Sequence, residues 1–179
     1  MNEDPKRYWR NLVRGRPAEI VPPGPGQESV WDYPRPPRVE ASRRPVRIEL
    51  AGEVLAASER ALRVCETSSP PVYYVPIADT CSEWLSPSAR RSGCEWKGVA
   101  HYWNVCVGDR RVADVAWSYP QPDTGFDSLR GHLAFYPGRV DACYLGDERV
   151  RPQAGDFYGG WVTAEIVGPF KGEPGTEGW

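Results

Sequence analysis

Residues 92–108 of this chain, SGCEWKGVAHYWNVCVG, bring a lysine, a histidine and three large aromatics into one stretch with the alternation of a strand. Aromatic rings supply flat apolar walls, and Lys97 and His101 supply polar handles, a combination suited to enclosing a small organic molecule. Read as a strand, the stretch places Lys97, Val99, His101, Trp103, Val105 and Val107 on one face and Gly98, Ala100, Tyr102, Asn104 and Cys106 on the other. The first set reads mainly as core. On the second, Gly98 and Ala100 leave room beside Tyr102, and missing side-chain volume is what lets a ligand approach a sheet. A glycine bend beneath a crossing segment fits the same two residues equally well.

Four residues could carry acid–base chemistry: Glu66, Lys97, Tyr102 and Asp141. Lys97 lies between Trp96 and Gly98, where desolvation would lower its pKa and make it a base or a Schiff-base nucleophile; as a cation it could instead clamp a carboxylate. Glu66 shares a strand face with Val64, so its carboxylate could point inward as a general acid or base. Asp141, inside RVDACYL, has the same reading. For all three charged groups the plainer account is an ion pair, because an unpartnered buried charge costs several kcal/mol. Tyr74, Gly98, Ala100, Trp103, Trp117, Tyr119 and Tyr136 are the candidate ligand-binding residues, with Trp103, Trp117, Tyr119 and Tyr136 able to form an aromatic cage or simply core. Tyr73 and Tyr74 alternate faces, so one of them is expected to line the interior. Cys94 follows Arg90 and Arg91, a setting that favours thiolate, but no histidine–carboxylate dyad stands beside it in the sequence. His101 reads as an ordinary core or surface histidine.

The elements that would position these residues are short strands. Residues 1–29 are rich in Pro, Gly and Arg and end in VPPGPGQES, which sustains neither helix nor sheet interior; they read as an N-terminal arm, with a short amphipathic turn at Tyr8, Trp9, Leu12 and Val13 that could dock on the body. WDYPRPPRVE reads as an extended polyproline-like strap. From Val46 the pattern becomes period two, with Val46, Ile48 and Leu50 alternating against Arg47 and Glu49. EVLAAS and RVCETS follow as strands, and PPVYYVP as an edge segment because of its prolines. Residues 79–93 read as a long polar loop with Trp84 and Leu85 pinned inward. Strands over 98–107 and 111–117 form a hairpin across 108–110, HLAFYP and RVDACYL give two more, and FYGGWVTAEIVGPF wraps back on the body because Trp161, Ile166 and Phe170 are costly to leave in water. The fold class is all-β, a mostly antiparallel small β-tent or barrel-like sandwich. A single β domain over 30–172 carries an extended N-terminal arm and a wrapped C-terminal tail, of which 173–179 is flexible.

Composition narrows the function. Lysine and arginine total 22 against 24 acidic residues. Up to Pro45 there are nine basic and six acidic residues, leaving 13 and 18 in the body, so nucleic acid is not an expected partner. No apolar run approaches a membrane span and no signal-peptide stretch opens the chain, so a cytoplasmic protein is expected. Five scattered cysteines, none in CxxC spacing, read as reduced thiols, and with two histidines they make a structural zinc site unexpected.

Taken in order, VCETSSPPVYYVP, CEWKGVAHYW, AWSYPQP, LAFYPGRVDA and FYGGWVTAEIVGPFKG resemble the bacterial and fungal family called domain of unknown function 427, over about Val30 to Gly172. The resemblance implies a β fold related to the β-tent group, which includes methionine sulfoxide reductase B and the ligand-binding domain of cereblon. Some of those relatives hold zinc on paired CxxC motifs; this chain lacks the motifs, so the metal does not transfer. The family also carries a nucleotidyltransferase-like label, yet the sequence shows no carboxylate pair beside a Gly-Ser turn and no Gly-rich phosphate loop. Ser69 stands where many relatives carry histidine.

The function expected from the sequence is small-molecule binding in an aromatic-lined pocket, with metal-independent acid–base catalysis as an option and no cofactor. The alternatives are a non-catalytic module recognising a cationic, imide-like or modified side-chain group, and an adaptor acting through Pro34 to Pro37. Ligand identity and oligomeric state are open.

Overall fold

The computed structural model describes residues 6–13 and 15–179. A five-residue helix, α1 (Arg7–Asn11), is followed by β1 (Glu28–Ser29), β2 (Arg38–Ala41), β3 (Val46–Leu50), β4 (Glu53–Ser58), β5 (Leu62–Cys65) and β6 (Val72–Pro76). Then come β7 (Leu85–Cys94), β8 (Gly98–Val107), β9 (Arg110–Ser118), β10 (His132–Phe135) and β11 (Ala142–Leu145). Four two-residue strands, β12 (Glu148–Arg149), β13 (Arg151–Pro152), β14 (Trp161–Val162) and β15 (Ile166–Val167), complete the chain.

Seven strands form one sheet in the order β2-β5-β6-β10-β9-β8-β7, and four form a second, β12-β11-β3-β4. All pairings in both are antiparallel. The architecture is thus all-β and mainly antiparallel, and among the described residues no sheet closes into a barrel: β2 and β7 are open edges.

The alternation read from sequence packs the two sheets together. Val46, Ile48 and Leu50 of β3 meet Tyr73, Val75, Leu133, Phe135 and Val115 of the larger sheet, around Trp161 at 1% exposure. Each such aliphatic side chain contributes about 1.5–3 kcal/mol on leaving water. The opposite parity of the same strands, Val64, Tyr74, Ala134 and Trp117, faces away from the small sheet into a second cluster. Tyr73 and Tyr74 are therefore both buried, one in each cluster, because the large sheet is covered on both faces.

Strand β8 keeps the two faces read from its sequence. Ala100 and Tyr102 belong to the second cluster, and Trp103, Val105 and Val107 to the first. The register shift between Trp103 and Val105 places its extra residues on β9, so the alternation of β8 runs through it. Val99 departs from the expected core face, at 51% exposed.

Three further expectations change. Residues 85–94 are strand β7, not loop; a polar sequence with Pro87 is tolerated because β7 is an edge and the register shifts between Pro87 and Arg91. PPVYYVP holds β6 between β5 and β10, inside the sheet: Pro70 and Pro71 precede the strand and Pro76 is its last residue, which leaves Tyr73 to Val75 free to bond. The N-terminal segment docks, but by charge: Lys6 Nζ lies 2.5 Å from Asp123 Oδ2 and Arg10 Nε donates to the Glu95 carbonyl at 2.8 Å, while Tyr8 and Val13 are 66% and 93% exposed. The side chain of Trp9 lies outside the described residues. The C-terminal segment wraps as expected: β15 pairs in parallel with β1, and Ile166 packs with Val30, Trp31 and Tyr33.

Candidate functional site

The second cluster does not fill its face of the large sheet. Between Tyr74 of β6, Ala100 and Tyr102 of β8, Trp117 and Tyr119 at the end of β9, and Tyr136 just past β10, there is a cavity of about 250 Å³. It is roofed by elements remote in sequence: the turn at residues 67–70, Arg35 of the strap, residues 157–159, and Lys171 and Trp179 of the C-terminal segment. At the roughly 30 Å³ a water occupies in the liquid, it has room for about eight waters, the size of a single-ring organic molecule.

Trp117 is held from three sides. Its indole Nε1 donates to Tyr74 Oη at 3.2 Å, with the rings edge to face at 83°. Its ring centroid lies 4.5 Å from that of Tyr136. Gly159 presses on its far edge so closely that a Cβ there would stand 2.2 Å from the indole Cη2. Gln153 fastens this roof, accepting from Gly160 N–H and donating to the Lys171 carbonyl at 2.7 Å.

The polar groups fall into three sets. Ser92 Oγ and Tyr102 Oη are 2.8 Å apart, and Tyr136 Oη donates to the Phe157 carbonyl; Arg90 and Arg139 stack over the Tyr102 and Tyr136 rings at 4.3 and 4.5 Å. Arg35 bridges Glu66 (2.5 Å) and Glu95 (2.6 Å) and lies over Trp96, as does Arg10. Lys97 forms the third set with Cys94, Tyr74 and Tyr119. It is 9% exposed, and its backbone N–H points at Cys94 Sγ (3.5 Å).

Burial pushes the phenol of Tyr74 up to about 12 and that of Tyr119 well above its ordinary value, so both keep their protons at neutral pH and serve as donors. Burial acts to lower the Lys97 pKa, but the neighbouring Cys94, Tyr74 and Glu66 outweigh it and the pKa is raised. Of the two roles read for Lys97 from the sequence, this favours the cation over the free amine. Burial raises Cys65 to about 11 and Cys143 further still, so these two thiols are inert.

Of the residues singled out from sequence, the cavity gathers Glu66, Lys97, Tyr102, Tyr74, Ala100, Trp117, Tyr119, Tyr136 and Cys94. It does not gather Asp141, Trp103 or Gly98. Asp141 lies beside the small sheet, its Oδ2 accepting from Ala51 N–H at 2.6 Å. Trp103 packs against the inter-sheet core with Nε1 on Ser118 Oγ at 2.9 Å. Gly98 has φ +103° beneath a crossing segment, where a Cβ would meet Asp123 Oδ1 at 3.1 Å and the Gln121 carbonyl at 3.2 Å, so the bend reading holds there and the open-space reading holds at Ala100. His101 is half-buried on β8, paired in register with Arg91 and Ser118. Sequence reasoning missed Arg35, Gln153, Gly159 and Lys171. The one signal available was the Gly159-Gly160 pair before Trp161, which marks a close approach of backbone to something bulky.

Among the described residues no three His, Cys, Asp or Glu side chains come together as a metal site, and no helix is long and apolar enough to cross a membrane. A family model described as a domain of unknown function (DUF427) matches residues 38–146, from β2 to just past β11. No curated protein matches the sequence.

Proposed function

The chain belongs to the family of domains of unknown function 427, and from the pocket itself we propose that it is a small-molecule-binding domain whose ligand lies against Trp117 and Tyr136. The observation that carries this reading is an aromatic-walled cavity of about 250 Å³ with the buried Lys97 in its lining. Pockets with apolar walls and a few convergent polar groups are the usual form of ligand sites. Binding has more support than catalysis. Tyr74 and Tyr119 hold their protons too tightly to act as bases, and Glu66 and Glu95 are both occupied by Arg35. A proton transfer through Glu66 first requires that pair to open.

The alternative, a cage for a cationic group, is opposed by Lys97. Two like charges about 4 Å apart at an effective dielectric near 20 repel by about 4 kcal/mol. The acidic body supports a small ligand over nucleic acid, and five unpaired thiols support the cytoplasm as the compartment. A thermal-shift screen against a broad metabolite panel tests the proposal, since whatever binds the native state raises its melting temperature. Stabilisation by a panel member that is lost in Trp117→Phe is the expected result; no stabilisation across the panel contradicts it.

A further inference from the structure

We infer that the ligand of this pocket is a small organic anion, a single-ring acid whose negative end is held by Lys97 and Tyr74 and whose ring lies along Trp117. The inference rests on the binding role proposed above and adds the chemical class.

Two buried donors point to it. Lys97 is 9% exposed, and among the described residues no carboxylate lies within 4.0 Å of its ammonium. Of the groups that surround it, Tyr74 is neutral below about 12 and Glu66 is already held by Arg35 at 2.5 Å. An ammonium carries three donors, and a buried cation without a close counter-ion is a costly arrangement that an anion relieves. Tyr74 is 1% exposed and its oxygen accepts from Trp117 Nε1. Among the described residues no acceptor takes its hydroxyl proton, so that donor is left for the cavity. The two lie near enough for each to perturb the other's ionisation. Together they form a charged donor and a neutral donor, the pair that a carboxylate with two oxygens accepts.

The rest of the wall fits an aromatic body. Trp117 and Tyr136 line the cavity, and its volume admits about one ring with an acidic substituent.

The test uses three probes of one shape on the full chain: benzoate, benzamide and benzylammonium. Binding is followed by NMR at the indole N–H of Trp117, which sits on the Tyr74 oxygen, and circular dichroism confirms that each variant is folded. Benzoate is expected to bind at least tenfold more tightly than benzamide, with benzylammonium weaker than either. Lys97→Met is expected to abolish the preference for benzoate while keeping benzamide binding, and Tyr74→Phe to weaken benzoate several-fold more than benzamide. If benzamide or benzylammonium binds as tightly as benzoate, the pocket stands and the anionic class is wrong. If none of the three binds, both the class and the binding role fall.

Discussion

Gly159→Ala is a one-methyl perturbation that probes how the pocket is closed. The new Cβ would stand 2.2, 2.8 and 3.3 Å from the Cη2, Cζ3 and Cζ2 atoms of Trp117, whereas ordinary carbon contacts lie near 3.5–4.0 Å. Something must therefore move by more than an ångström. The indole is poorly placed to yield: it is 7% exposed, bonded to Tyr74 and stacked near Tyr136. The roof at residues 157–160 is in turn fastened through Gln153. Overpacking of this kind costs about 1–3 kcal/mol. With a urea m-value of about 2 kcal/mol/M, the midpoint should fall by about 0.5–1.5 M at unchanged m. Gly178→Ala is the control, since a Cβ there meets nothing within 4 Å; its effect should stay within about 0.5 kcal/mol. The same substitution should weaken whatever ligand binds, because either the indole enters the cavity or the roof lifts from it. Equal stability of Gly159→Ala and wild type would refute the closure of the pocket by this segment.

Other outcomes follow from the packing. Ile48→Ala, in the core on the opposite face of the large sheet from the pocket, should cost about 2–5 kcal/mol and leave ligand affinity unchanged, as read by urea denaturation and titration. Arg63, 5% exposed, holds Glu28 and Glu40 through bonds of 2.6–3.1 Å; Arg63→Met should cost about 2–3 kcal/mol, below the value for fully buried pairs because the carboxylates are partly solvated. At both glutamates burial acts to raise the pKa and is outweighed by arginine hydrogen bonds, joined at Glu28 by Tyr33, so both are lowered from 4.5. Their contribution is full above pH 4.5 and is lost as pH falls through the lower folded values. Wild type should therefore lose stability below pH 4.5 more steeply than Arg63→Met, in urea melts across pH; parallel curves would remove Arg63 from that role.

Period-two alternation in VRIEL, EVLAAS and HLAF made their strands legible because each has one face in the core. Strand β7 escaped because an edge needs no such pattern. The site was legible where one strand carried it: Ala100, Tyr102 and Lys97 sit within six residues. Its roof was not, because Arg35, Gln153, Gly159 and Lys171 reach the cavity only through the paths of the strap and the C-terminal segment. Asp141 failed as a site residue because it precedes the first paired residue of β11, so the parity of Cys143 and Leu145 does not govern its direction. Trp103 failed because it shares the parity of Val105 and Val107 and faces the inter-sheet core, and Gly98 because a segment crosses over it.

A crystal structure of the chain grown with benzoate tests the central claim most directly. The account predicts a ring against Trp117 and a carboxylate oxygen about 2.7–2.9 Å from Lys97 Nζ, the length of a charge-assisted hydrogen bond. A cavity holding only water, or a benzoate whose carboxylate points away from Lys97, would contradict it.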